Sequence, residues 1–458
     1  MRASRRSALL VAACFAVGAA TMATPALAVA PAAAALKVPP IVYTERKLGN
    51  GLAVISVESH ASPTVSVQVW YRVGGSDDPA GKSGFAHLFE HMMFKGTKYL
   101  KNEQFDRMTE DVGGNNNAGT SEDVTTYENV VPSNHLETLL WAEAERLMNL
   151  RVDDASFKSE RAVVEEEYRQ RVLASPYGRF SEAVRTEPYE KHSYRRGVIG
   201  SIADLDAATL ADVAAFHATY YRPDNATLVV TGDFDARQLD AWVDKYFAPV
   251  ARPSTPLPKR EAVEPAWSHD RTITVTAPNV PLPAVAAVWL APPVTDRDAP
   301  ALQVAAALLS AGESSRLNQS LVYRQQIATQ AGFSADLRAG PGLLIATAIA
   351  AGGKEPAAVR SALLAEVRRL VDRPASAAEL DKVKVQILTG AFVSRQTPLG
   401  LGSAIGEAAV LGGNANRINT DLDDLQRVTA LDVQRVLRRY VTGAHKVMLD
   451  YVPEASPK

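Results

Sequence analysis

His87-Leu88-Phe89-Glu90-His91 is the stretch on which the reading of this chain turns. Its flanks Phe85, Met92, Met93 and Phe94 are apolar, as are Leu88 and Phe89 within it, which predicts an amphipathic or buried helix. At about 100° per residue, positions four apart come back to one side after ~400°, so the His87 and His91 imidazoles leave the same face a turn apart. Two neutral imidazoles at that spacing can hold one zinc ion. Glu90, three residues after His87, shares the face and can act on a water there without being a ligand. A solvated surface helix would also tolerate these residues. An apolar one would not, because burying His, Glu and His is costly unless they are paired or metal-bound.

Zinc in a catalytic site takes a third protein ligand and keeps one position open. The stretch Ser159-Glu160-Arg161-Ala162-Val163-Val164-Glu165-Glu166-Glu167-Tyr168 offers four carboxylates. Glu160 and Glu167 are seven apart and share a helical face. Spacing alone does not choose among them, and residues 165–167 also read as a solvated acidic run.

The set His87, Glu90, His91, Glu160 and Glu167 resembles the pitrilysin/insulinase family of inverted zinc metallopeptidases. Glu160-Arg161-x-x-Val164-x-x-Glu167 matches the family's E-R-x-x-V-x-x-E helix. Gly113-Gly114-x-x-Asn117-Ala118-x-Thr120 resembles its G-G-x-x-N-A-x-T strand, and Ser314-Ser315-Arg316-Leu317 its S-S-R-L helix start. The likeness runs from about Val42 to Val452. It implies that Glu167 is the third ligand of one zinc ion per chain, Glu160 a supporting carboxylate and Glu90 the general base. It implies an α+β fold of two similar domains, each an antiparallel-rich mixed sheet with helices packed on it, together forming half of a clamshell.

Substrate binding is read from the same likeness. Asn117, Ala118 and Thr120 would lie on a sheet edge that pairs with an extended peptide. From the residues alone, Gly113-Gly114-Asn115-Asn116 reads as a turn, so a turn leading into a strand is expected. Arg324 aligns with a substrate-binding Arg of the family, but Ala331 stands where a Tyr is usual, with Phe333 out of register. The expected enzyme is therefore a zinc endopeptidase for extended or unfolded peptides, the catalytic subunit of a dimer. A related second subunit, or a second copy, would supply the Arg/Tyr pair. The competing readings are a non-catalytic scaffolding subunit and a zinc hydrolase acting on a non-peptide bond.

Composition agrees with a globular enzyme of 458 residues: 47% hydrophobic, 22% charged. A net charge of −2 makes no electrostatic case for nucleic acid or an anionic membrane. Arg2, Arg5 and Arg6, an apolar run over 8–20 and Ala26-Leu27-Ala28 read as a signal peptide cleaved after Ala28, with export to the periplasm and no stable membrane anchor. Cys14, the only cysteine, would leave with it. Residues 29–40 read as a disordered leader, 41–251 as the zinc-bearing domain, 252–267 as a proline-rich linker and 268–458 as a second domain without metal.

Strands are expected over 52–57, 64–73, 228–231, 272–276 and 284–290, and helices over 101–112, 136–148 and from Glu160 to about Val172. A weak repeat supports the two domains: Asp212-Val213-x-x-Phe216-x-x-x-Tyr220 is echoed by Asp432-Val433-x-x-Val436-x-x-x-Tyr440, each before an apolar strand. His192-Ser193-Tyr194 reads as a structural loop near the metal face. His60, His135, His217, His269 and His445 have no partner at ligand spacing and read as solvated or packing residues.

Overall fold

Two sheets are built on one plan. The structure, a computed structural model, describes residues 38–260 and 263–454. The expected signal peptide and residues 29–37 of the leader lie outside them.

The first sheet comprises β1 (Thr44–Lys47), β2 (Ala53–Glu58), β3 (Thr64–Tyr71), β4 (Asn115–Thr120), β5 (Thr125–Pro132) and β6 (Ala226–Gly232), in the order β1-β2-β6-β3-β5-β4. The second comprises β7 (Arg271–Ala277), β8 (Ala284–Ala291), β9 (Ala328–Asp336), β10 (Gly342–Ala350) and β11 (Val447–Pro453), in the order β7-β11-β8-β10-β9. Set β1 aside and the two plans coincide. A parallel pair (β2 with β6, β7 with β11) leads into antiparallel partners, ending on an edge strand, β4 or β9. This is the α+β, two-sheet architecture expected.

The weak repeat falls on equivalent elements. Helices Leu210–Tyr220 and Ala430–Leu437 precede β6 and β11, and both open with the same capping box. Thr209 Oγ1 accepts the Asp212 N–H at 3.2 Å, and Thr429 Oγ1 accepts the Asp432 N–H at 3.1 Å.

Each half also lends a helix to the other's sheet. Helix Gly178–Thr186 sets Phe180, Ala183 and Val184 against Ala284, Ala286, Val288, Leu449 and Tyr451 of the second sheet. Helix Pro398–Val410 sets Leu401 and Ile405 against Ile55, Val57, Trp70 and Val229 of the first. Gly406 permits that approach: a Cβ there would stand 2.4 Å from Trp70 Cε2. The expected linker carries no helix or strand among its described residues and is pinned to the first half. Arg222 donates to the Pro253 and Thr255 carbonyls, both at 2.8 Å.

Several element ends differ from expectation. The helix expected over 101–112 is Gln104–Glu110. The one expected to reach Val172 is α-helical over Asp154–Tyr168 and then widens into a π-type turn, Arg169–Ala174. No helix of the described residues is long and apolar enough to cross a membrane.

Candidate metal centre

The His87 helix, Phe85–Met92, buries Phe85, Leu88, Phe89 and Met92 in the core of the first half, which turns the remaining face toward its neighbours. It starts after Gly84, whose φ of 92° and close contact with the Ile199 carbonyl suit glycine alone. Asp78 accepts the Gly84 and Ala86 N–H groups at 2.6 and 2.9 Å, satisfying donors that the first turn leaves free. Helix Asp154–Tyr168 lies against it, with Asp153 accepting the Ser156 N–H at 2.8 Å.

Between these helices the expected residues meet. The His87 and His91 rings are 4.9 Å apart. One oxygen of Glu167, Oε2, lies 3.6 Å from His87 Nε2 and 3.4 Å from His91 Nε2. Glu160 Oε2 stands 3.6 Å from His91 Nδ1, the nitrogen on the far side of that ring, and its Oε1 is 2.8 Å from Lys95 Nζ. Ligand atoms of Glu90 also lie within 4.8 Å of the two imidazoles. However, Glu90 Oε2 accepts the Thr120 hydroxyl at 2.6 Å, whereas Glu167 Oε2 is directed at both rings.

The donor set fits zinc. Ligands held at 2.0–2.2 Å in a tetrahedron are about 3.3–3.6 Å apart, the separation seen between Glu167 Oε2 and each Nε2. His87 Nε2, rather than its buried Nδ1, is the nitrogen turned toward Glu167 Oε2. Burial, reinforced by His91 and Arg171, pushes His87 down to about 3, so its ring is neutral, the form that binds metal. Burial also pulls His91 down, but Glu160, Glu90 and Glu167 outweigh it and leave His91 raised. Burial raises Glu90.

The strand Asn117, Ala118 and Thr120 were expected to share is β4, the outer strand of the first sheet, and it starts after a turn at Gly113, so turn and strand are both present. Asn117 is exposed and Ala118 packs on the first core. Thr120 does more than its strand position suggests, since its hydroxyl holds Glu90. Arg324 is exposed at the end of a π-type turn of the second half, and among the described residues no hydrogen bond or ion pair reaches its side chain. Ala331 lies on β9 and packs toward the second core. His217 stacks on Phe89 at 5.0 Å, and exposed His60 sits between Asp233 and Glu58.

Sequence reasoning missed Arg171, whose Nη1 is 2.5 Å from Glu167 Oε1; its place four residues after Glu167 was the available signal. It also missed Asp123, in the turn after β4. Asp123 accepts the Tyr194 hydroxyl (2.6 Å), Arg260 Nη1 (3.0 Å) and the Ala339 N–H (3.0 Å). Its neighbour Glu122 pairs with Arg338 at 3.0 Å. The turn adjoining Thr120 is thereby tied to the second half. His192, in the same cluster, accepts the Tyr194 N–H at Nδ1 while its Nε2 is buried without a partner.

Two family descriptions match the chain. The family description "Insulinase (Peptidase family M16)" matches residues 53–200, and "Peptidase M16 inactive domain" matches 207–387. A zinc protease of Helicobacter pylori, PqqE, is 33% identical over 343 residues, 74% of this chain and 77% of that one. The crystal structure of a protease from Helicobacter pylori superposes with a TM-score of 0.86 at 28% identity, over 90% of this chain and 100% of that one. The periplasmic protease PqqL of Escherichia coli shares the fold at a TM-score of 0.72 and 20% identity, over 92% of this chain and 48% of that one.

Proposed function

The chain belongs to the pitrilysin/insulinase family of peptidases, M16, and from that premise we propose that it is a zinc-dependent endopeptidase acting on extended or unfolded peptides. The observation that carries this reading is the single Glu167 oxygen aimed at both His87 Nε2 and His91 Nε2, with Glu90 left beside them. His87, His91 and Glu167 would hold the metal, and Glu160 would orient His91 from its Nδ1 side. Zinc, when bound, supplies a Lewis acid for the scissile carbonyl and lowers the pKa of water from ~15.7 toward ~7.

The remaining steps fall to the chain's own side chains. Glu90 takes a proton from the attacking water and delivers it to the leaving amine nitrogen. The Thr120 hydroxyl fixes which Glu90 oxygen is free for that transfer, since Oε2 is engaged. Burial raises the Glu90 carboxyl toward the range in which it can both accept and return a proton. The outer edge of β4, at Asn117 and Ala118, would pair with the peptide backbone and bring it across this carboxylate.

The reading includes a clamshell completed by a second, related chain or a second copy. In support, the chain spans about half of the PqqL polypeptide, and Arg324 stands free of the cluster. It also includes the division into domains at 41–251 and 268–458, cleavage after Ala28 and a periplasmic location, PqqL being a periplasmic protease. The test is Glu90→Gln in the full chain. Peptide cleavage should fall by roughly 10²–10⁴-fold with zinc retained; a fully active Glu90→Gln chain overturns the assignment and points to a different base, whereas an unaltered chain that holds zinc and cleaves no peptide favours the scaffolding subunit.

A further inference from the structure

Beside the lent helix Gly178–Thr186, the second sheet is left partly bare. The helix covers β8, β11 and the start of β10 through Phe180, Ala183 and Val184, and no residue of β9 belongs to that core. β9 is an edge strand whose Ala331, Phe333 and Ala335 turn to the opposite layer, leaving Gln330, Gly332 and Ser334 on the helix side. The result is a trough of about 590 Å³, with Tyr177, Phe180 and Val184 on one wall and Ile345 and Ile349 on its floor. It shares Ser181 and Arg185 with a neighbouring cavity of about 290 Å³. That second cavity is lined by Arg171, the residue paired with Glu167. The trough thus lies between the lent helix and the second sheet, and through Ser181 and Arg185 it neighbours the cavity that Arg171 lines.

We propose that this trough is a substrate subsite that receives a bulky apolar side chain of the bound peptide. The proposal rests on the endopeptidase reading and adds to it a place and a chemical class. Tyr177, Phe180, Val184, Ile345 and Ile349 give the trough an apolar wall and floor, with Arg185, Asn318, Gln330 and Thr347 also lining it; the volume is that of a small-ligand site, and the Tyr177 hydroxyl is already engaged by the Leu282 carbonyl at 3.0 Å, so its ring is what the trough presents. The occupant continues the path of a peptide laid along β4, because β4 and β9 end in turns joined by Asp123 with Ala339 and Glu122 with Arg338.

Gly332 offers a fold-sparing block. A Cβ there meets only Thr347 Oγ1, at an ordinary 3.6 Å, so a larger side chain enters the trough rather than the sheet. Zinc-loaded full chain would be assayed with quenched peptides differing at one position, Phe against Ala, scanned on both sides of the cleavage point. At one position the Phe peptide should be cleaved with about tenfold or greater advantage in kcat/KM. Gly332→Phe, or Gln330→Trp on the rim, should abolish that advantage while zinc content and the rate on the Ala peptide stay unchanged. No Phe advantage at any position, or equal loss on both peptides, overturns the subsite. If the zinc-loaded chain cleaves nothing, the endopeptidase reading fails separately. Binding of the same peptides then decides: a Phe preference erased by Gly332→Phe keeps the subsite, and equal binding removes it.

Discussion

The two halves share a strand plan and differ in the α-helix that comes after β3 in one and after β8 in the other. In the first half that helix is Phe85–Met92, which brings His87, Glu90 and His91 into a largely buried face. In the second it is Ala299–Ser310, which buries Leu302, Val304, Ala305, Leu308 and Leu309 and carries no His or Glu. The frame therefore closes around an apolar helix as readily as around a polar one. The polar one is tolerated because Glu167, Glu160, Lys95 and Thr120 converge on it and because its donor spacing suits a cation. The second half shows what the fold requires; the first shows what has been added for chemistry.

The largest effects should come from breaking that difference. Glu167→Ala should take peptide cleavage to background and release the zinc, as read by metal analysis. Leu309→Ala, in the apolar counterpart helix, should cost about 2–5 kcal/mol in urea unfolding yet leave the zinc in place. Equal zinc loss in both would dissolve the contrast.

Next comes the exchange of helices. Gly406→Val drives a side chain into Trp70 and should destabilise the chain by about 1–3 kcal/mol. A midpoint unchanged in urea would mean that the Pro398–Val410 helix does not bear on the first sheet in solution.

A finer contrast lies at His217, whose counterpart in the repeat is Leu437. Burial pushes His217 down to about 4, below its ordinary 6.5. Its folded pKa is depressed, so the unfolded chain binds the extra proton. Stability is then whole above pH 6.5 and lost as pH falls toward 4, by about 1–3 kcal/mol. His217→Leu should flatten the stability–pH profile in that window, and an unchanged slope would assign the acid sensitivity elsewhere.

The smallest effect tests the likeness itself. Thr209→Ala and Thr429→Ala remove matching capping hydroxyls and should each cost about 1 kcal/mol. A large inequality would show that the two boxes do not do the same work.

Much of the centre was legible because it is local. A helical turn puts His87, Glu90 and His91 on one face whatever surrounds it, and two turns do the same for Glu160 and Glu167. The repeat was legible for the same reason, in helices whose Thr and Asp cap their own first turn. Neighbours distant in sequence were not. Nothing in the amphipathicity of Pro398–Val410 says that it will cover the first sheet rather than the second, and nothing around Asp123 announces donors from Tyr194, Arg260 and Ala339. The strand at Asn115–Thr120 was half legible. Its Gly113-Gly114 start favours a turn, and only the resemblance pointed to the edge strand that pairs with β5. Helix ends also escaped, since widening at Arg169–Ala174 has no signature in residue spacing.

The central claim is that Glu167, and not Glu90, completes the metal site. Zinc content of Glu90→Gln and Glu167→Gln chains, purified side by side, tests it most directly. The account predicts about one zinc per chain in Glu90→Gln and a loss of zinc in Glu167→Gln. Zinc kept by Glu167→Gln and lost from Glu90→Gln would contradict it.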